Sequence, residues 1–133
     1  MLAKITVADY MTKRVVTLKE DTDVVEAIQM MLDHKITCAP VVDNHGNLVG
    51  MFSERDSMKV VLETAYNQSM VGKIGEFMSR DIMHVDANSS ILDLAEKFES
   101  SNVRSFPVFE DSELVGVVSR TDVLKALTAK KKK

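Results

Sequence analysis

The sequence predicts an α/β fold, in the broad sense that includes α+β, made of two pseudo-symmetric copies of a β-α-β-β-α unit. First, the chain repeats itself at an offset of 67 residues up to Pro40 and 66 residues beyond it. Second, each copy shows the same succession of short apolar runs and helical periodicities. Third, 133 residues suffice for one domain or for two small halves that share a core. Internal duplication explains the first two observations, and the length of the chain allows two such copies.

The repeat sets the predicted domain organisation. The offset places Met11 on Met78 and Pro40 on Pro107, and after a one-residue loss it places Gly50 on Gly116. That loss falls in a segment rich in turn formers, residues 43–47 in the first copy. We therefore expect a first repeat at residues 5–66, a linker at 67–75, a second repeat at 76–128 and a disordered lysine tail at 129–133.

The first strand and first helix of each copy come next in the chain. β-branched and apolar residues predict short strands at 15–18 and 82–85. Asp23 and Ser90 stand where helix N-caps are expected. The helices that follow should bury apolar faces at helical spacing, namely Val24, Ile28, Met31 and Leu32 in the first copy and Ile91, Leu94, Ala95 and Phe98 in the second.

Two strands and a last helix complete each copy. Buried strands are predicted at 39–42 and 106–109, each forming a hairpin with the next strand, and the last helices begin at Glu54 and Arg120. The predicted apolar faces of these helices are Met58, Val61, Leu62 and Ala65, and Val123, Leu124 and Leu127. Each unit has a one-sided sheet, so we expect the two units to pack through their sheets. Apolar residues left over on the last helices predict a dimer.

The junction between the last strand and the last helix is the candidate functional element. Ser53 precedes Asp56 by three residues, as Ser119 precedes Asp122. A helix N-terminus presents unpaired N–H groups and the positive end of the helix dipole, which favour a phosphate, and an ionised aspartate can accept both ribose hydroxyls. The alternative is an ordinary capping box, in which the two side chains only satisfy the helix backbone. The duplication of the motif favours a nucleotide site.

Composition excludes several other classes. No apolar run approaches the roughly 18 residues of a membrane span, and no signal peptide is recognisable, which predicts a cytoplasmic protein. Cys38 is the only cysteine and is expected to be a small buried residue, and the three histidines are too scattered for a metal site. No nucleophile–base pair or phosphate-binding Gly-Lys loop points to an enzyme. Without the terminal lysines the chain is acidic, so we do not expect nucleic-acid binding.

The ordered set of motifs resembles the tandem cystathionine-β-synthase (CBS) domain pair, or Bateman module. The resemblance covers about residues 5–128, and it lies in an opening Asp-Tyr-Met-Thr or Glu-Phe-Met-Ser, a central Pro-Val, and a closing Gly-x-x-Ser-x-x-Asp in each repeat. It implies a stand-alone, non-enzymatic regulatory module that dimerises and binds AMP, ADP or ATP in clefts between the repeats. S-adenosylmethionine and NAD or NADH are further ligands that the resemblance allows, and it leaves the regulated protein unknown.

The resemblance also implies the residues of two clefts. The first cleft would use Thr12, Val16, Ile36, Thr37, Cys38, Arg104, Ser119, Arg120, Thr121 and Asp122. The second would use Ser53, Arg55, Asp56, Ser79, Met83, Val103 and again Arg104. We expect the first cleft to be the better site, because Glu54 would repel phosphate at the second and Arg55 could pair with a neighbouring carboxylate. The rival hypothesis is a ligand-free module for dimerisation or protein interaction.

Overall fold

The computed structural model describes residues 2–67 and 72–129. In this part of the chain, four α-helices accompany two three-stranded sheets, which confirms the predicted fold class. The chain forms two compact units. The unit at residues 16–82 is called the first unit here, and the unit at residues 1–15 and 83–133 is called the second unit.

The first unit follows the predicted order of elements. Its sheet contains β1 (Leu18–Lys19), β2 (Cys38–Val42) and β3 (Leu48–Ser53), in that order across the sheet. β1 is parallel to β2, and β3 is antiparallel to β2. Helix α1 (Val24–His34) connects the parallel pair, and α2 (Glu54–Asn67) follows β3 directly. A short 3-10 helix lies at Ile74–Glu76.

The second unit repeats this design. Its sheet has β4 (Val85–Asp86), β5 (Ser105–Glu110) and β6 (Glu113–Ser119), with the same parallel and antiparallel pairings. Helix α3 (Ile91–Glu99) connects β4 to β5, and α4 (Arg120–Ala129) follows β6. Two 3-10 helices, Leu2–Lys4 and Val7–Asp9, come from the start of the chain.

Local sequence explains where the helices and central strands begin. The Asp23 carboxylate accepts hydrogen bonds from the backbone N–H groups of the first turn of α1, and the Ser90 hydroxyl does the same for α3, as predicted. Pro40 interrupts no pairing with β1, because β1 reaches only Val41 and Val42 of the strand β2. A residue without an N–H group is therefore tolerated in the central strand.

Each unit's core includes an apolar residue from the start of the other sequence repeat or from the segment that directly precedes it. Val7 is fully buried beside Phe106 and Val118 in the second unit. Ile74 is fully buried beside Phe52 and Val41 in the first unit. Backbone bonds hold the segments in place: the Val7 N–H donates to Ser89 O at 2.8 Å, and the Ile74 N–H donates to Thr22 O at 3.0 Å. The compact units thus differ from the repeats as they are drawn along the sequence.

Several local expectations need correction or fall outside the described residues. The first strands begin at Leu18 and Val85, three residues later than residues 15 and 82, because only two residues pair with the neighbouring strand. Leu32, predicted to face the core from α1, is 67% exposed. All four apolar side chains expected to face the core from α2 are exposed, and Val60 is buried there instead. In α4, Leu124 and Leu127 are exposed as well, and Ala126 is the buried apolar residue. The lysines at 130–133 and residues 68–71 of the predicted linker lie outside the described residues.

Candidate functional site

The two Ser-x-x-Asp motifs lie where a strand runs directly into a helix. Ser53 ends β3 and Glu54 begins α2, while Ser119 ends β6 and Arg120 begins α4. Each aspartate therefore lies in the first turn of its helix, near the positive end of the helix dipole. Both carboxylates are nearly inaccessible, since Asp56 is 2% exposed and Asp122 is 8% exposed.

In both motifs the side chains form a reciprocal capping box. The Ser53 N–H donates to Asp56 Oδ2 at 2.9 Å, and the Asp56 N–H donates to Ser53 Oγ at 3.2 Å. The corresponding distances for Ser119 and Asp122 are 2.8 Å and 3.4 Å. The capping box, which was the alternative to a nucleotide site, is therefore present at both motifs. It uses only one oxygen of each carboxylate.

The second carboxylate oxygen distinguishes the two motifs. Asp56 Oδ1 accepts a hydrogen bond from Ser79 Oγ at 3.4 Å and lies 3.6 Å from Lys59 Nζ. Asp122 Oδ1 has no hydrogen-bond or ion-pair partner among residues 2–67 and 72–129. Asp122 Oδ1 is not one of the fully buried side-chain atoms that lack a partner in that part of the chain, so solvent can reach it. Asp122 therefore keeps an acceptor available for a ligand.

The opening segments place further polar groups beside each motif. Thr12 pairs with Val117 through two backbone bonds, of 2.8 Å and 3.0 Å, two residues before Ser119. In the first unit Ser79 pairs with Met51 in the same way, two residues before Ser53. Thr12 and Ser79 thus occupy equivalent positions, but only the Ser79 hydroxyl bonds to its aspartate within the described residues.

Arg104 lies next to the second motif within the same unit. Its carbonyl accepts a hydrogen bond from the Arg120 N–H at 3.3 Å, and the following residue, Ser105, pairs with Ser119 across the sheet. The Arg104 side chain is exposed and has no partner in the described part of the chain. Thr121 is exposed as well. The Arg104 guanidinium and the Asp122 carboxylate therefore lie in the same region of the second unit as the hydroxyl groups of Ser119 and Thr121.

Arg120 occupies a different environment from the one expected. Its guanidinium donates to the carbonyls of Phe98, Ser101 and Val103, each at 3.1 Å, and lies 5.5 Å from the centre of the Phe98 ring. These bonds engage the side chain with the loop that follows α3. Arg55, by contrast, is exposed, and it forms no ion pair with Glu54 or Asp56 among the described residues.

The remaining predicted residues divide between the units. Met83 and Val103 belong to the second unit, where they are 46% and 38% exposed. The other members lie in the first unit, namely Val16, Ile36, Thr37 and Cys38. The Thr37 carbonyl accepts the Glu54 N–H at 2.8 Å, which is the equivalent of the bond between Arg104 and Arg120.

Cys38 lies opposite Ser53 at the start of β2. It is partly buried. This burial raises the pKa of the thiol to about 12, and the negative charge of Asp56 acts in the same direction. A thiol that stays protonated is a poor nucleophile, in keeping with the expectation of a small unreactive residue.

A cavity of about 530 Å³ lies elsewhere in the first unit. It shares no residue with either motif. Two of its cations are engaged, since Arg80 donates to the Glu20 carboxylate at 2.7 Å and Lys19 donates to the backbone carbonyl of Asp43 at 3.3 Å. The motifs are the stronger candidate site, because each places a buried carboxylate at a helix N-terminus, whereas none of the carboxylates that line the cavity is buried. No cluster of His, Cys, Asp and Glu suited to a metal occurs in the residues searched, 2–67 and 72–129.

Two contacts were missed from the sequence. Lys59 lies three residues after Asp56 on the same helix, a spacing that brings side chains together and that could have been used. The bonds of Arg120 join residues 17 to 22 positions apart, and no local pattern indicates them. No helix in the described residues is long and apolar enough to cross a membrane.

Comparison with known proteins gives the family. The model of the CBS domain matches residues 7–63 and 74–129. Hypoxic response protein 1 of Mycobacterium tuberculosis is 30% identical over 122 residues, which are 92% of this chain and 85% of that protein. Protein MJ1225 of Methanocaldococcus jannaschii is 29% identical over 91% of this chain, but the match spans only 42% of the relative.

Solved structures agree with this match. CBSX2 in complex with AMP is 27% identical, with a TM-score of 0.82 over 96% of this chain and 98% of that chain. The CBS domain pair of protein MJ0100, in complex with 5′-methylthioadenosine and S-adenosyl-L-methionine, is 27% identical, with a TM-score of 0.80 over 94% and 97% of the two chains. The ligands in these relatives share an adenosine group and differ in whether they carry a phosphate.

Proposed function

Because the chain belongs to the CBS domain family and carries two CBS domains, we propose that it is a regulatory module that binds an adenosine-containing ligand. The observation that carries the proposal is Asp122, a buried carboxylate whose Oδ1 has no partner in the described part of the chain. A ribose supplies two hydroxyl donors for such an acceptor. AMP, ADP and ATP are the ligands we favour, and S-adenosylmethionine and NAD or NADH belong to the same class.

The other polar groups of the second unit fit the remainder of a nucleotide. We assign Ser119, Thr121 and Arg104 to the phosphate and Thr12 to the edge of the site. The N-terminus of α4 adds favourable backbone dipoles. Arg104 is the group that would favour AMP over a ligand without phosphate, since a guanidinium binds phosphate oxygens in a bidentate manner.

The first unit is the weaker candidate. A ribose at Asp56 would have to displace the Ser79 hydroxyl and the Lys59 ammonium from Oδ1. It would also meet Glu54 where the second motif has Arg120. These differences support a preference for the Asp122 site, with Ser53, Arg55, Asp56 and Ser79 forming a second site of lower affinity.

Regulation requires that the ligand distinguish between two arrangements of the protein. A ligand that binds both arrangements equally shifts no population, however tightly it binds. We propose that adenosine ligands favour one arrangement of the module and that an unidentified partner protein binds the arrangement so selected. The role we assign is binding, not catalysis.

Matched asparagine variants test the ligand site. Asp122→Asn and Asp56→Asn each remove a charge while keeping the size of the side chain. Thermal unfolding is followed with AMP, ADP, ATP, NAD, NADH and S-adenosylmethionine, and AMP at 100 times its Kd should add about 2.7 kcal/mol of stability. We expect the shift in wild type and in Asp56→Asn, and its loss in Asp122→Asn. Loss in Asp56→Asn alone would reverse the ranking of the sites.

A ligand-free interaction module is the second candidate. It is favoured by the capping boxes, which give both motifs a structural role, and by the exposed apolar side chains of α2. Absence of any thermal shift in folded wild-type protein, with all six ligands, would support this candidate over the first.

A further inference from the structure

Arg120 stands at the first position of α4, between the two polar residues of the second motif, yet its side chain is directed to another element. Its Nε donates to Val103 O, and its Nη2 donates to both Phe98 O and Ser101 O, each at 3.1 Å. A guanidinium has five donors in a fixed planar arrangement, so it can hold several carbonyls in one geometry. Arg120 therefore ties the loop at residues 100–104 to the start of α4.

The C-terminal ends of α1 and α3 differ in the groups that bind their last carbonyls. In the first unit, the residue that follows α1 is Lys35, which adopts a left-handed conformation with φ of 56°. The Lys35 and Ile36 N–H groups then donate to the Leu32 and Met31 carbonyls. This is the usual backbone solution at a helix C-terminus. The residue after α3, Ser100, has φ of −90° and is not left-handed. The Ser100 and Ser101 N–H groups donate to the Glu96 and Phe98 carbonyls at 3.1 Å and 3.3 Å, so the guanidinium is a second donor to Phe98 O and the partner of the Ser101 and Val103 carbonyls. Arg120 supplies donors and a positive charge at this C-terminus.

The first repeat provides an internal comparison. The position of Arg120 is held by Glu54, and the position of Arg104 is held by Thr37. The fold of the unit is the same in both cases, with equivalent sheets and equivalent backbone bonds to the first residue of the last helix. The fold therefore does not require an arginine at this position, and both arginines occur in the repeat whose aspartate keeps an open acceptor.

We propose that Arg120 is a positioning residue that does not contact the ligand itself and that orders the loop bearing Arg104, the phosphate-binding side chain. The Arg120 backbone N–H fixes the Arg104 carbonyl, and its guanidinium fixes the preceding residues. Arg104 is thus held on both sides, because Ser105 after it is paired in the sheet. The loop order so achieved reduces the entropy lost when Arg104 binds a phosphate. This proposal rests on the proposed nucleotide site.

Two measurements test the proposal, and the first requires no ligand. Hydrogen exchange of the Ser100 and Ser101 amides, which donate to Glu96 O at 3.1 Å and Phe98 O at 3.3 Å, should be about tenfold faster in Arg120→Ala than in wild type, because the carbonyls at the end of α3 lose the guanidinium that holds them. Arg120→Lys keeps the charge and one donor position, and we expect an intermediate rate. The Lys35 and Ile36 amides of the first unit, which donate to Leu32 O and Met31 O, serve as the internal control and should not change. Unchanged exchange at Ser100 and Ser101 in a folded Arg120→Ala protein would overturn the proposal.

The second measurement is the Kd for AMP in a double-mutant cycle. Arg120→Ala should weaken binding about tenfold, and Arg104→Ala should weaken it by a similar factor. The double variant should bind no more weakly than Arg104→Ala, because Arg120 acts through Arg104. Independent, multiplying effects would mean that Arg120 contacts the ligand directly, which contradicts the proposal. Lys125→Ala, on the same helix, is the matched control for loss of a positive charge.

The two arms separate this inference from the proposed function. If wild type binds no AMP while exchange at Ser100 and Ser101 still accelerates in Arg120→Ala, the loop is ordered by Arg120 but the nucleotide site is wrong. If wild type binds AMP and neither exchange nor Kd responds to Arg120→Ala, the nucleotide site stands and the positioning role is refuted.

Discussion

Asp56 and Asp122 show how one motif acquires two environments. Both form the same capping box, so the local geometry of the two carboxylates is the same. What differs is the second oxygen, which Ser79 and Lys59 approach at Asp56. The contact with Lys59 is weak in itself, since that side chain is 63% exposed and its charge is screened by water. The Ser79 hydroxyl is the partner that must be displaced.

The thiol of Cys38 provides a pH-dependent prediction. Burial raises its pKa from 9.0 to about 12, so the folded state favours the protonated thiol. The resulting stability is complete below pH 9 and is lost as pH rises toward 12. We expect wild type to lose more stability than Cys38→Ala between these pH values, as measured by urea unfolding. Parallel curves for the two proteins would contradict the shifted pKa.

The same thiol can be followed by alkylation, because Cys38 is the only cysteine in the sequence. Iodoacetamide should react slowly at pH 8, since little thiolate is present. Asp56→Asn should raise the rate modestly, because it removes the smaller cause of the shift and leaves burial in place. Glu54→Gln, which removes a neighbouring charge not implicated in the shift, is the control.

Gly116 is required by the close approach of an opening segment. A Cβ at this position would lie 2.7 Å from Met11 Sδ and 2.8 Å from the carbonyl oxygen of Thr12. The methionine can move, but the backbone carbonyl cannot do so without breaking its pairing with Val117. We expect Gly116→Ala to destabilise the protein by about 1–3 kcal/mol. Glu113→Ala, on the exposed start of the same strand, is the control, and equal stability of the two variants would refute the steric argument.

At the scale of elements, the sequence predicts those parts whose determinants are local. The helices follow from apolar periodicity and from the caps Asp23 and Ser90, and the central strands follow from β-branched runs. The capping box at each junction is also local. The first strands were placed three residues early, because a two-residue strand is defined by its partner strand and not by its own composition.

Long-range contacts account for what sequence patterns did not reveal. The core position of Ile74 depends on a sheet built from residues far along the chain, and a segment read as a linker gives no sign of it. The engagement of Arg120 with Phe98 likewise depends on how α3 ends. At the two Ser-x-x-Asp motifs, the capping contacts were predictable from the sequence, whereas the partners of the second Asp56 oxygen, Ser79 and Lys59, were not predicted.

The turn between β5 and β6 offers a stabilising substitution. Asp111 and Ser112 both have positive φ, 52° and 70°, which is the conformation of a two-residue hairpin turn that favours glycine at its second position. We expect Ser112→Gly to stabilise the protein, because the relieved left-handed strain of about 1–2 kcal/mol exceeds the cost of about 0.4–1 kcal/mol from the added freedom of the unfolded chain. Ser112→Val should destabilise it, and the comparison by urea unfolding distinguishes strain from loss of the hydroxyl. A Ser112→Gly protein that is less stable than wild type would contradict this prediction.

At the scale of the whole molecule, the exposed apolar surface of α2 indicates an interface with another protein chain. Met58, Val61, Leu62 and Tyr66 recur at helical spacing and are 52–79% exposed. Exposed apolar patches of this kind usually mark interaction sites. We propose that α2 forms part of the interface of a homodimer, which would remove these side chains from water.

A charge placed on this surface tests the dimer. Wild type should have the mass of two 14.8 kDa chains in light scattering. Leu62→Glu should have the mass of one, because burying an unpaired carboxylate in an apolar interface is costly. Glu63→Lys changes charge at the neighbouring exposed position of α2 and should remain dimeric. A monomeric wild type, or a dimeric Leu62→Glu, would show that α2 is not the interface. If monomeric Leu62→Glu binds AMP with unchanged Kd, the Asp122 site is complete within one chain, and dimerisation serves the response to the ligand and not its capture.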